Sequence, residues 1–273
     1  MNIIENFEYY DYRPSDTEKY NKPGSEFNIV LRNEDLTTQP SKSLLLIQGE
    51  LKAKIKVTAG SPAVTTISDS LTIDLNLVHF VNNGILNLFD RIDYSIGDTK
   101  IDTIRNPGIS TLMKGLVSFE RDLQYNAAGW KINSPSHKNI LNENCHFTVT
   151  IPLSIMMGFF EDHTNFLYQV SQKLTFYRSN IENTNNVLYI EPDSGYTCTL
   201  TMNDVVWSVP QVKFSLKYET EIRKEILSGT NYSLEYRNWF YQSITPPLGT
   251  NYTWDFPVAY SKCKYIILAF QTA

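Results

Sequence analysis

LNLVHFVNNGILNLFDRIDYSIGDTKIDTIRNPGISTLMKGL, residues 75–116, reads as strand, turn, strand, turn and short helix. Leu75, Leu77, His79 and Val81 alternate with Asn76, Val78 and Phe80, the period of two that a strand imposes because successive side chains leave on opposite faces. Asn82-Asn83-Gly84 tolerates left-handed backbone and can reverse the chain. Ile92-Asp93-Tyr94-Ser95-Ile96 and Ile101-Asp102-Thr103-Ile104 flank Gly97-Asp98, the chemistry of a tight hairpin. Arg105-Asn106-Pro107-Gly108 then breaks the sheet, and Gly108–Leu116 reads as a short helix. None of these groups is arranged for catalysis; the stretch specifies antiparallel sheet.

The rest of the chain repeats this grammar. Strands are expected over Asn28–Leu31, Ser43–Thr58, Ser70–Phe80, Leu88–Ile96, Thr99–Ile104, Asn144–Ile151, Gln172–Ser179, Leu188–Glu191 and Tyr196–Ser208. Lys52, Lys54 and Lys56 alternate with Leu51, Ala53, Ile55 and Val57, so one face of that strand is wet or meets a partner. Helices are few: Gly108–Leu116, Leu153–Phe160 and the amphipathic Tyr218–Leu227, stopped by Ser228-Gly229. Strands do not alternate with long helices, which argues against a parallel sheet and for an antiparallel sandwich. Residues 1–26, rich in acids and tyrosine but aperiodic, read as an N-terminal arm. Residues 27–208 read as one complete unit with Trp130 and Trp207 in its core. Trp207-Ser208-Val209-Pro210 marks a boundary, after which Tyr232–Ile244, Tyr252–Val258 and Lys264–Thr272 supply only about three strands. Three strands leave an open apolar edge, so residues 209–273 read as the start of an incomplete second unit, able to pair with the first unit or with another copy.

Composition bounds function. Of 273 residues 13% are aromatic, which suits pleated surfaces, and only 19% are charged. A net charge of −5 is a poor footprint for direct nucleic-acid binding. Cys145, Cys198 and Cys263 are odd in number and far apart, so buried reduced thiols are expected rather than a disulfide framework. No signal peptide and no membrane-spanning apolar run is evident, which implies synthesis inside a cell. His79, His137, His146 and His163 share no metal-ligand spacing, and Glu161-Asp162-His163 reads as a solvated turn. Nucleophile-elbow and phosphate-loop patterns are absent. Asp90/Asp93 and Asp98/Asp102 sit where turns are capped, and Arg237-Asn238-Trp239-Phe240-Tyr241 lacks the basic company of a base-stacking platform. Neither an enzyme nor a cofactor is expected.

Four ordered segments carry a family resemblance. The first is Phe80-Val81-Asn82-Asn83-Gly84 with Leu88-Phe89; the second is Ile101-Asp102, Asn106, Pro107 and Gly108 with the later Ala128, Gly129 and Trp130. The third joins Ile151, Pro152 and Leu153 to Gly158, Phe159, Phe160, Glu161 and Asp162 and to Lys173-Leu174-Thr175-Phe176-Tyr177-Arg178-Ser179. The fourth is Trp207 and Pro210, then Trp239 and the terminal Ile267-Leu268-Ala269-Phe270-Gln271-Thr272. In this order they resemble the double jelly-roll major capsid proteins of Polinton/Maverick elements, adintoviruses and virophage-like viruses, and their endogenous copies in insect and cnidarian genomes. The resemblance implies an all-β fold of two antiparallel jelly rolls, the first complete and the second only partial here. It also implies a structural role in a virion, self-association into trimeric capsomers, contacts with neighbouring capsomers and with penton or minor capsid proteins, and no sequence-specific nucleic-acid partner. A jelly-roll binding module of lectin or ligand type is the alternative from a different class; a cupin-type enzyme lacks its His and Glu ligands.

Overall fold

β-Branched and aromatic residues alternate with polar ones along most of the chain, and strands form where they do. The computed structural model describes residues 3–32, 36–59, 64–70, 73, 74, 76–119, 126–130, 141, 142, 144–180, 186–229, 232–245, 253, 262–264 and 266–270. In chain order its elements are β1 (Ile4–Tyr12), β2 (Glu26–Leu31), β3 (Thr37–Thr38), β4 (Leu44–Ala59), β5 (Val64–Ser70), β6 (Val78–Phe80), β7 (Phe89–Ile96) and β8 (Thr99–Arg105). There follow α1 (Pro107–Ser118), β9 (His146–Pro152), α2 (Gly158–Asp162), β10 (Leu167–Tyr168), β11 (Gln172–Arg178), β12 (Leu188–Ile190), β13 (Tyr196–Phe214) and α3 (Leu216–Leu227).

Two antiparallel sheets face each other. One runs β10-β3-β13-β4-β5, with β1 on the other edge of β13 and β9 beside β4; the second runs β2-β11-β7-β8. A small ladder, β12-β6, stands apart from both. Register places Trp207, Leu45 and Ile151 in one inward row of the first sheet, and Phe27, Phe176, Ile92 and Ile104 in one inward row of the second. These side chains are buried, Phe27 stacking on Phe176 at 5.0 Å between centroids. Lys52, Lys54 and Lys56 point outward while Leu51 and Ala53 point in, as the alternation requires. The fold is an antiparallel jelly-roll sandwich.

Several expectations are corrected. The strand expected over Ser70–Phe80 is interrupted: Asp74 accepts the amides of Leu77 and Val78 on its carbonyl and that of Asn76 on its carboxylate, making a turn. Among the described residues Ser70 ends β5 and Val78–Phe80 form β6, with Val78 and Phe80 facing the core. Of the arm expected over residues 1–26, residues 3–26 carry a strand and a buried tyrosine. β1 pairs antiparallel with the C-terminal half of β13, and Tyr20 is fully buried against Phe27. Its strand was hidden because both faces of β1 are largely exposed, so no binary pattern marks it. β13 does not end at Ser208 but runs through Pro210 to Phe214, past the boundary read from that proline. The run Leu153–Phe160 splits into a 3-10 turn, Leu153–Ile155, and α2.

Beyond α3 the described residues of Tyr232–Ile244 form no strand, nor do those of Lys264–Thr272; of Tyr252–Val258 only Thr253 is described. A strand needs a partner row of amides and carbonyls, and no described strand lies alongside either segment. Among the cysteines Cys198 is buried, Cys145 half-buried and Cys263 exposed. No helix among the described residues is long and apolar enough to cross a membrane.

Candidate functional site

The motif residues gather on the side of the sandwich where α1 and α2 meet. Asn106 adopts left-handed backbone (φ 44°) before α1, with Pro107 at the first helical position, where a missing amide costs nothing. Gly108 touches the Asn87 side chain so closely that a Cβ could not fit. The Asn83 amide side chain donates to the Gly108 carbonyl at 3.1 Å, and the Asn83 backbone N–H donates to the Gly129 carbonyl at 3.0 Å. This joins the first two motif segments at one residue. Trp130, 5% exposed, covers Gly115 of α1 and meets the Phe119 ring edge-on at 5.1 Å. Pro152 ends β9 opposite Leu44, and the Leu153 amide donates to Ser43.

Gly158 and Phe159 open α2. The Phe159 amide donates to the Asp102 carboxylate at 2.9 Å, and its ring packs against Tyr94, Phe160, His163 and Tyr236. Tyr94 in turn meets Trp207 edge-on at 6.3 Å. Pro210 lies in β13 opposite Tyr9. Phe270, at the terminal end of the fourth segment, is fully exposed, and Gln271 lies outside the described residues.

Around α2 stands a charged cluster that joins the motif residues Glu161 and Asp162 to two cations outside the motif set, Lys114 and Arg237. Lys114, the one charged residue of α1, is 4% exposed; its ammonium donates to Glu161 at 2.7 Å and to the Ser154 carbonyl at 3.2 Å. It lies 5.3 Å from the centre of the Trp239 ring. The Arg237 guanidinium donates to both oxygens of Asp162, at 2.8 Å from Nε to Oδ2, and reaches Glu161 at 3.1 Å. The Arg237 backbone N–H donates to Asp162 at 2.7 Å, and the Tyr236 hydroxyl donates to the Ile101 carbonyl. Gly158 lies directly beneath the Arg237 carbonyl, an approach only a residue without Cβ permits.

Burial pushes the Asp102 carboxyl up, against the pull of the Phe159, Thr103 and Gly158 amides and of Lys114. Burial also pushes the Lys114 ammonium down, against the pull of Glu161. The guanidinium of Arg237 holds Asp162 below the usual carboxylate range, and burial lowers His163. The cluster clamps residues 232–245 onto the first roll through charge and ring contacts in place of strand pairing. Sequence reading missed Lys114 and Tyr236, read Asp102 as a turn cap and Arg237 as part of a weak stacking platform, and took Glu161-Asp162-His163 for a solvated turn, whereas His163 is buried and both acids bind cations. The one signal was Lys114 itself, a lone cation in an otherwise uncharged helix.

Acid is expected to open this clamp. The pKa of folded Asp162 lies below its unfolded value of about 3.9, so the pair stabilises fully above that range and loses its effect as pH falls through the folded value. Hydrogen exchange at Arg237, corrected for intrinsic rates, should speed roughly fivefold between pH 6 and pH 3, and Asp162→Asn should show that speed already at pH 6. Exchange independent of pH would show that the pair does not hold the segment.

Among the described residues no group of three or more His, Cys, Asp or Glu side chains is placed to hold a metal ion. The Faustovirus major capsid protein is similar to this chain at 10% identity and TM-score 0.46, over 81% of this chain and 56% of its own. The Sputnik virophage structure is similar at 13% identity and TM-score 0.47, over 79% and 49%. The mavirus major capsid protein is similar at 7% identity and TM-score 0.44, over 79% and 48%. The chain thus spans about half the length of these solved viral proteins. No curated protein matches it. Residues 78–273, most of the chain and all four motif segments, match the family described as the double jelly roll-like domain, and the chain belongs to that family.

Proposed function

We propose that this chain is a structural, non-catalytic subunit of a viral shell, or an endogenous copy of one, that self-associates into trimeric capsomers. The family match across residues 78–273 carries the reading. The geometry supports it: the described polar clusters are spent on holding elements together, and aromatic side chains such as Tyr9, Tyr10 and Phe240 stand exposed, where Tyr in particular supplies contact area with a polar tip. On this reading the subunit is made inside the cell, ends in the virion, and meets neighbouring capsomers and penton or minor capsid proteins. The motif residues Asn106, Pro107, Gly108, Gly129, Trp130, Gly158, Phe159 and Trp207 then serve packing, not chemistry. Light scattering on the purified 273-residue chain, with negative-stain microscopy, is expected to show trimers or larger assemblies. A monodisperse monomer at every concentration tested would overturn the reading.

A further inference from the structure

β1 is laddered to β13 along one edge, and among the described residues no strand pairs with the other. Two observations fix which backbone groups face that open edge. Tyr9 stands opposite Pro210, whose carbonyl accepts from Gln39 on the far side of β13, so Tyr9 and Pro210 exchange no hydrogen bond. The Tyr9 amide and carbonyl therefore point outward. Two residues earlier the Phe7 N–H donates to the side-chain Oδ1 of its neighbour Asn6, at 2.9 Å, and not to β13. Alternation adds Asp11, so Phe7, Tyr9 and Asp11 present a row of amides and carbonyls to an extended partner.

The occupant this edge fits is a second β1. A two-fold axis normal to the sheet keeps each side chain on its own face, so it passes through a residue that meets its own copy. Centred on Tyr9, it lays the regular part of the ladder, residues 6–12, antiparallel on itself. Tyr9 then meets Tyr9 and Phe7 meets Asp11, so outward residues pair with outward residues and each pair exchanges both its hydrogen bonds. Between them Glu8 meets Tyr10 of the second copy, the same hydroxyl that donates to it within the chain. At the ends Glu5 meets Arg13, opposite charges. Neighbouring centres fit worse. Centred on Glu8, acid faces acid at Glu8 itself and at Glu5 with Asp11. Centred on Tyr10, Phe7 falls opposite Arg13, beyond the strand; centred on Phe7, the pairing crosses the irregularity between Ile4 and Asn6.

We propose that β1 of one copy pairs antiparallel with β1 of a second across a two-fold axis at Tyr9, joining the first sheets of the two copies into one. The proposal rests on the self-assembly reading for its partner, and it places the contact between capsomers, because a two-fold axis cannot relate the subunits of one trimer. A single strand pair is a small interface, so it gains strength where capsomers present several edges to one another.

In a pair that exchanges hydrogen bonds, Cα atoms lie about 5.5 Å apart, within disulfide reach. Tyr10 of one copy is offset from Tyr10 of the other by two residues, about 7–8 Å away and out of reach. The two tyrosines are 47% and 46% exposed, so accessibility does not separate them. In the assembled full chain carrying Cys263→Ser, Tyr9→Cys under mild oxidation should therefore give covalent dimers roughly fivefold or more above those from Tyr10→Cys. No larger covalent species should form, since an isologous contact closes on itself. An assembled protein with no link at position 9, with equal links at positions 9 and 10, or with covalent species beyond dimers would overturn the two-fold contact and leave the shell reading standing. A chain that neither assembles nor links would overturn both.

Discussion

Trp207→Ala is expected to lower stability by about 3–5 kcal/mol, the usual cost of emptying a large aromatic site that cannot collapse. Trp207 is 0% exposed and sits in β13 between Leu45 of β4 and Tyr12 of β1, so it anchors the first sheet across three strands. Its ring also meets Tyr94 of the second sheet edge-on, which ties the two layers together. The indole N–H has no hydrogen-bond partner among the described residues, a cost the native side chain already bears. Trp207→Phe removes that donor and keeps most of the ring, so its loss should stay under about 1.5 kcal/mol. Denaturant unfolding of both variants measures the difference; equal losses, or none for alanine, would place Trp207 outside the core.

Gly158→Ala is expected to release residues 232–245 while the sandwich stays folded. Alanine at a helical position gains about 1 kcal/mol over glycine, so propensity alone predicts a small stabilisation. The added Cβ would instead occupy the space of the Arg237 carbonyl, a backbone group with no rotamer to relieve the clash. One side must move. α2 is held by Asp102 and by the buried rings of Phe159 and Phe160, while the other segment has no strand pairing, so the segment moves. Tryptic cleavage after Arg237 should then rise at least tenfold with the melting transition shifted by no more than a few degrees. Unchanged cleavage would show that the close approach at Gly158 does not hold the clamp.

How much of this was legible depends on where the physical signal resides. The hairpin around Gly97-Asp98, the left-handed Asn83 and the proline-led helix α1 are local: turn chemistry and period fix each within a few residues. β1 was not legible because an edge strand exposed on both faces has no apolar face to mark it. The end of β13 was misplaced because Pro210 lacks only an amide, and its carbonyl still accepts from Gln39. The clamp was invisible for another reason: Asp162 and Arg237 are 75 residues apart, and no local pattern couples them. Asp102 could be read as a cap, but not as the cap of a helix 57 residues downstream.

The reach of β13 sets a clock on synthesis. Its residues 196–208 pair with β4 and its residues 207–214 pair with β1, near the opposite end of the chain. At typical elongation rates of about 5–20 residues per second, roughly 10–40 s pass between the appearance of β1 and that of its partner. During that interval β1 has emerged from the ribosome without its ladder partner, while β4 has β5 and β9 on one edge and still lacks β13 on the other. A chaperone that shields extended apolar segments therefore has its natural window before Phe214 is made, and slowing translation upstream of residue 196 should raise the aggregated fraction of the newly made protein.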